Sequence, residues 1–91
     1  MPYPTILPNI GNDLAEDIDD ELRRAKVHGE KFASLHEAYA VILEELDEVW
    51  EITLMKKKNR DPEKLKAELV QLAAMAIKAI NSMEAFVGGN V

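Results

Sequence analysis

The chain has 91 residues, no cysteine and a formal net charge of −6, with 17 acidic and 11 basic side chains. A chain of this length forms one small domain, and the lack of cysteine excludes disulfides and thiolate metal sites. An acidic composition without a basic patch argues against nucleic acid as a partner, and no apolar run approaches the roughly 20 residues that cross a bilayer. Because no cationic and apolar leader begins the sequence, we expect a cytoplasmic protein.

Residues 1–11 are predicted to form an irregular N-terminal arm. They contain three of the four prolines, which remove backbone donors and keep the preceding residues extended. The arm also carries the apolar side chains Tyr3, Ile6, Leu7 and Ile10. These side chains either pack on a partner surface or belong to a loosely ordered terminus.

The first helix is predicted to run from near Asp13 to Gly29. Asp13 and Glu16 have the spacing of a capping box, and glycine commonly ends a helix. Apolar residues recur at helical spacing along this segment, at Leu14, Ile18, Leu22 and Ala25. The charges off this stripe are mixed in sign, which is typical of a solvated face.

The second helix is predicted from Ser34 to about Lys58. Ser34 and Glu37 have the pattern of a capping box, in which each side chain accepts a hydrogen bond from a backbone N–H at the helix start. One broad face contains Leu35, Ala38, Tyr39, Ile42, Leu46, Val49, Trp50 and Thr53. We expect Tyr39 and Trp50 to pack in the core. The three lysines at 56–58 are expected at the negative end of the helix dipole.

The same helix carries the excess charge of the whole chain. Six acidic residues lie between positions 35 and 54, and no lysine or arginine lies between Phe32 and Met55. Like charges four residues apart, such as Glu44 and Glu48, cost an isolated helix roughly a few tenths of a kcal/mol. This acidic stripe is either the wet side of an amphipathic helix or a cation site. Carboxylate oxygens suit Mg²⁺ or Mn²⁺, and Mg²⁺ typically bridges carboxylates to phosphates.

The third helix is predicted from Asp61 to Gly88. Asp61 and Pro62 form an N-terminal signal, with a capping acid before proline at the first helical position. Between 65 and 80 the helix is apolar on nearly every side, with a polar edge at Lys64, Glu68, Gln71, Lys78 and Ser82. The sequence therefore predicts an all-α fold of three helices, with one domain over residues 12–87 and a tail over 88–91.

Two acidic motifs fall on the second and third helices. Glu44-Glu45-x-x-Glu48 is followed after 19 residues by Glu68-x-x-Gln71. The pair resembles the signature of the MazG-like, all-α nucleoside triphosphate pyrophosphohydrolases, in which Glu-Glu-x-x-Glu precedes Glu-x-x-Asp at a similar distance. The resemblance extends from about Gly29 through Ala85, some two thirds of the chain.

The resemblance implies a helical bundle that is completed as a homodimer or homotetramer, with Mg²⁺, or Mn²⁺ in its place, as the cofactor. Water would cleave a nucleoside or deoxynucleoside triphosphate between the α and β phosphates, releasing a monophosphate and pyrophosphate. The metal ligands that it implies are Glu44, Glu45, Glu48, Glu68 and Gln71. Of these, Glu45 and Glu48 are also the candidate catalytic residues, able to orient the attacking water.

Two further residues are candidates for substrate binding, each with an alternative role. Lys78 either reaches a phosphate oxygen or extends past the core to solvent. Glu37 either touches substrate near the mouth of the site or serves the helix cap alone.

Gln71 departs from the family pattern, which has an aspartate there. A neutral amide is a weaker ligand for a hard cation than a carboxylate. The alternative function is therefore a catalytically inactive helical dimer, which acts as a metal- or nucleotide-binding module or as a protein-interaction module.

Overall fold

The computed structural model of the protein describes residues 12–25, 29 and 31–88. Over these residues the chain forms α-helices and one short 3-10 turn, without a β-strand, so the predicted all-α class is confirmed. The elements are α1 (Asn12–Ala25), α2 (Leu35–Thr53), the 3-10 turn (Lys57–Asn59), α3 (Pro62–Ile80) and α4 (Met83–Val87). None of the described helices is long and apolar enough to cross a membrane. The predicted arm at 1–11 lies outside the described residues.

Helix α3 is the central element, because it packs against both α1 and α2. An ion pair of 3.3 Å between Lys66 and Asp17 joins α3 to α1 at their exposed edge. The described residues bury six apolar side chains, and three of them are alanines. The six are Ala15, Phe32, Ala38, Ile52, Val70 and Ala74. Small residues let helix axes approach closely, but they give the protomer a small core.

Helix α1 differs from its prediction at its start. It begins at Asn12, so Asp13 lies in the first turn instead of at the N-cap. At the other end the helix reaches Ala25, and residues 26–28 lie outside the described residues. Gly29 has a φ of +107°, a left-handed conformation that glycine adopts without a steric penalty.

The start of α2 is confirmed, but its end is not. The Ser34 hydroxyl accepts from the Glu37 N–H at 3.1 Å, and the Glu37 carboxylate accepts from the Ala33 N–H at 3.3 Å. The helix ends at Thr53 instead of near Lys58, so the lysines at 56–58 lie outside it. The Arg60 guanidinium donates to the Thr53 carbonyl at 2.8 Å. Arg60 thus supplies the cation at the negative end of the helix dipole.

The start of α3 is also confirmed, since the Asp61 carboxylate accepts from the Glu63 N–H at 2.9 Å ahead of Pro62. The predicted single helix to Gly88 is wrong, because α3 ends at Ile80 and α4 follows. At this break the buried Ser82 hydroxyl donates to the Lys78 carbonyl at 2.7 Å and accepts from the Phe32 N–H at 2.8 Å. The described residues therefore form four α-helices instead of three.

Only one edge of the broad apolar face of α2, at Ala38, is buried in the protomer. Tyr39 and Trp50 are 66% and 57% exposed, so the prediction that they pack in the core is wrong for the protomer. The buried residues of α2 are Ala38 and Ile52, which lie two heptads apart on one side of a helix. The exposed part of the apolar face lies beside this buried side.

Candidate metal centre

Three glutamates from two helices converge between α2 and α3. Glu45, Glu48 and Glu68 each contribute one carboxylate oxygen to a group in which all three oxygens lie within 4.8 Å of one another. Glu45 and Glu48 come from successive turns of α2, whereas Glu68 comes from α3. We call these residues the glutamate triad; they include the candidate catalytic pair from the sequence.

Glu45 lies on the buried side of α2. It lies seven residues after Ala38 and seven before Ile52, and residues at this spacing share one helix face. The Oε2 atoms of Glu45 and Glu68 are buried and have no hydrogen-bond partner among the described residues. A buried polar atom without a partner costs roughly 1–3 kcal/mol, and more when charged. The triad therefore has two oxygens that a cation or a proton would stabilise.

Neighbouring carboxyl groups raise the pKa of Glu45 and of Glu68. The Glu48 carboxyl, burial and the charge of Glu45 raise the pKa of Glu68 to about 7, against a smaller lowering by Lys64. Glu48 and Glu68 can share a hydrogen bond only while one of them is protonated, so the deprotonated pair offers the Glu68 oxygen no donor. A bound cation would replace this proton, because metal ligands must be deprotonated.

Glu45 has a raised pKa for a different leading reason. Burial raises it most, followed by the charges of Glu48, Glu44 and Glu21. Glu21 belongs to α1, where it pairs with Arg24 at 3.2 Å. The sequence does not identify Glu21 as a neighbour of the triad. The mixed charges of α1 indicate a solvated face, and their spacing does not tell which of them lies toward α2.

Two of the predicted metal ligands lie outside the triad. Glu44 is exposed on α2 and reaches the triad only through its charge. Gln71 is half-buried and lines a separate cavity of about 350 Å³, together with Asp17, Glu21, Arg24, Glu63, Lys66, Ala67 and Val70. Ligand roles for Glu44 and Gln71 stay predictions.

The two predicted substrate-binding residues lie away from the triad along their helices. Lys78 is buried, with its Nζ atom 4.5 Å from the centroid of the Phe32 ring, a cation–π distance. It follows Glu68 by ten residues, or about 15 Å of helix. Glu37 is eight residues before Glu45, about 12 Å away along the helix, and its carboxylate caps α2. Their roles toward substrate stay predictions.

A cavity of about 260 Å³ adjoins the triad between α2 and α3. Its lining residues are Glu48, Glu51, Ile52, Met55, Lys64 and Glu68. Two members of the triad therefore face this space, and Lys64 is the single basic residue among the lining side chains. The sequence places Lys64 on the polar edge of α3 but indicates no contact with the acidic motif of α2.

No family model, curated protein or solved structure matches this chain. The resemblance to the MazG-like pyrophosphohydrolases therefore depends on the two acidic motifs and their spacing, and membership of that family stays a prediction.

Proposed function

We propose that this protein is a Mg²⁺- or Mn²⁺-dependent nucleoside triphosphate pyrophosphohydrolase, with the glutamate triad as its metal site. The observation that carries the proposal is the pair of buried Oε2 atoms of Glu45 and Glu68, which have no hydrogen-bond donor and lie beside a third carboxylate. Burial of unpaired carboxylate oxygens destabilises an apo protein. A divalent cation bound by these oxygens would remove the destabilisation.

The dimensions of the triad suit a small, hard cation. Mg²⁺ binds oxygen at roughly 2.0–2.1 Å, so ligands on opposite sides of the ion are about 4.2 Å apart. The triad oxygens lie within 4.8 Å of one another, close enough for small side-chain rotations to bring them onto one ion. Three carboxylates leave coordination positions for water and phosphate oxygens, which is how Mg²⁺ is usually held in phosphate-transfer sites.

The three carboxylates can divide the chemical work according to their exposure. When bound, the cation neutralises phosphate charge and acidifies a coordinated water. Glu45 and Glu68, the half-buried members, hold the cation. Glu48 is exposed and lines the adjoining cavity, so it can orient the attacking water and accept its proton. Attack on the α phosphorus breaks the bond to the α–β bridging oxygen, and pyrophosphate leaves.

A second copy of the chain is the partner that the outer face of α2 suits best. Its exposed apolar residues are Leu35, Tyr39, Leu43, Leu46, Trp50 and Leu54, which we call the α2 outer stripe. The protomer core is small, and a short chain gains stability by oligomerisation. One self-complementary stripe per protomer is what a two-fold interface requires, and tyrosine and tryptophan are typical anchors of interfaces. The proposed assembly is a homodimer.

The test is an activity assay on the purified chain. The protein is incubated with Mg²⁺ or Mn²⁺ and a panel of ribo- and deoxyribonucleoside triphosphates, and monophosphate and pyrophosphate are followed by mass spectrometry. Glu48→Gln should abolish hydrolysis, whereas Asp47→Asn should leave it unchanged, because Asp47 is an exposed acid of the same helix outside the triad. Absence of products with every substrate and metal, together with no rise in Tm on metal addition, would overturn the proposal.

The second candidate is a non-catalytic module that binds a cation or a metal–nucleotide complex. Gln71 favours it, because this residue is neutral and lines the cavity shared with α1. Such a module would show a metal-dependent rise in Tm without any product in the assay. The same two measurements therefore separate the two functions.

A further inference from the structure

The cavity beside the triad has mixed electrostatics that change when a cation binds. Glu48, Glu51 and Glu68 line it together with Lys64, so the empty protein presents three acids and one base to this space. A divalent cation held by the triad would neutralise most of this negative charge. Lys64 and the bound cation would then be two positive groups beside this cavity, against Glu51 as the lining acid outside the triad, which is an arrangement that attracts an anion.

Lys64 is placed to serve both the cavity and the metal site. It lies four residues before Glu68, and residues at this spacing are neighbours on a helix surface. Both residues line the cavity. None of the ion pairs between described residues involves Lys64. The ammonium group is thus close to the triad without being held in a short ion pair by a described acid.

The size and walls of the cavity limit what it can bind. Its volume of about 260 Å³ lies below the range of roughly 300–1,000 Å³ that is typical of pockets for whole small-molecule ligands. Ile52 and Met55 make one wall apolar, which leaves Lys64 as the basic contact. A short polyphosphate fits these limits, whereas the sugar and base of a nucleotide would extend beyond them.

We propose that this cavity is the subsite for the β and γ phosphates of the substrate, with Lys64 as the residue that binds their oxygens. The inference rests on the proposed function, since it needs a cation on the triad. As the α–β bridging bond breaks, negative charge grows on the departing pyrophosphate, and the Lys64 ammonium offsets it. Lys64 therefore recognises the leaving group, and the triad acts on the α phosphate and the water.

The probes are Mn²⁺ alone and inorganic pyrophosphate in saturating Mn²⁺, each titrated by calorimetry into the full chain. Lys64→Gln should weaken pyrophosphate binding about tenfold or more, the loss typical of a hydrogen bond between charged groups. Its Mn²⁺ affinity should stay within about threefold, because Lys64 does not ligate the cation. Lys64→Arg should recover most of the pyrophosphate affinity, since arginine also binds phosphate oxygens.

Lys66→Gln is the matched control, because Lys66 is an exposed lysine of the same helix whose ion pair is with Asp17 of α1. It should leave both affinities unchanged. Equal pyrophosphate affinity in the Lys64→Gln variant and the native chain, with Mn²⁺ binding intact, would overturn the phosphate subsite and leave the metal site standing. Failure of the native chain to bind Mn²⁺ would instead overturn the proposed function on which the subsite rests.

Discussion

The inner and outer faces of α2 each carry residues that such a face usually lacks. The face toward α3 carries an acid, Glu45, between the buried residues Ala38 and Ile52. The face toward solvent carries Tyr39 and Trp50, each more than half exposed. A helix that served only to stabilise the protomer would have its apolar residues inside and its acids outside. We infer that both faces of α2 are kept for ligands, a cation on the inner one and a second chain on the outer one.

These residues lower the stability of the isolated protomer. The inner face leaves carboxylate oxygens buried without donors, and the outer face leaves aromatic side chains in water. Proteins depart from the rules of stable packing mainly at functional sites. Substitutions on one face of α2 at a time should therefore separate the effects on binding from the effects on stability.

The largest expected effect is loss of hydrolysis when the inner acid is removed. Glu45→Met should lower kcat/KM by about a hundredfold or more, because a metal ligand contributes at least as much as the outer residues that orient it. Asp47→Asn, on the solvent side of the same helix, is the control. Steady-state assays with Mg²⁺ check this prediction, and retention of activity by Glu45→Met would mean that the inner face does not hold the cation.

The next effect concerns the outer face. Trp50→Asp should raise the Kd of the dimer by about thirtyfold or more, since truncation of an interface anchor costs roughly 2 kcal/mol or more. The fold of the protomer should persist, because Trp50 is 57% exposed in it. Met83→Asp is the matched control, since Met83 is half exposed but lies on α4.

Sedimentation equilibrium measures both variants, and circular dichroism confirms that they fold. A native chain that is monomeric at all concentrations would contradict the role given to the α2 outer stripe. Equal weakening by both substitutions would place the interface elsewhere.

A smaller effect is expected on stability in the absence of metal. Glu45→Met should raise the free energy of unfolding by about 1–2 kcal/mol, because an apolar side chain of similar size replaces a buried carboxylate that lacks a partner. For a domain of this size that corresponds to a rise in Tm of several degrees. Thermal unfolding in EDTA tests this prediction, and a lower Tm would show that Glu45 stabilises the apo protein.

The smallest effect is a pH dependence that originates at Glu68. Its pKa is 4.5 in the absence of the fold and about 7 in it, raised by Glu48, burial and Glu45 against Lys64. Between these values the folded chain binds more protons than the unfolded one, so stability falls as pH rises. We expect a loss of about 1 kcal/mol from this group after allowance for its partial exposure.

Denaturant unfolding in EDTA at several pH values between 4.5 and 7.5 measures this loss. Glu68→Gln should flatten the profile relative to the native chain, and saturating Mn²⁺ should do the same, because the cation replaces the proton. An unchanged slope in the Glu68→Gln variant would exclude Glu68 as its source.

The starts of α2 and α3 were predictable because their capping signals are local. Ser34 and Asp61 each cap a helix through a backbone N–H two or three residues away. The helix ends were not, because distant residues decide them. Arg60 closes α2 by reaching back to Thr53, and Ser82 at the break after α3 binds Phe32, 50 residues earlier in the chain.

The candidate site shows the same division. Glu45 and Glu48 follow from helical spacing, since three residues along a helix bring side chains to neighbouring positions. Glu68 was predicted from the resemblance to a family motif, but its proximity to Glu45 and Glu48 depends on how α3 packs against α2. Glu21 and Lys64 were given no part in the site, because no periodicity tells which charge of one helix faces another helix.

The sequence by itself determined that this chain is helical, where α2 and α3 begin, and that one helix carries the excess negative charge. Only the tertiary structure decided which face of α2 turns inward. Apolar periodicity identifies a face that prefers to leave water, but it does not say whether the chain's own α3 or another molecule covers it. Here α3 covers the face of Ala38, Glu45 and Ile52, and Tyr39 and Trp50 remain exposed.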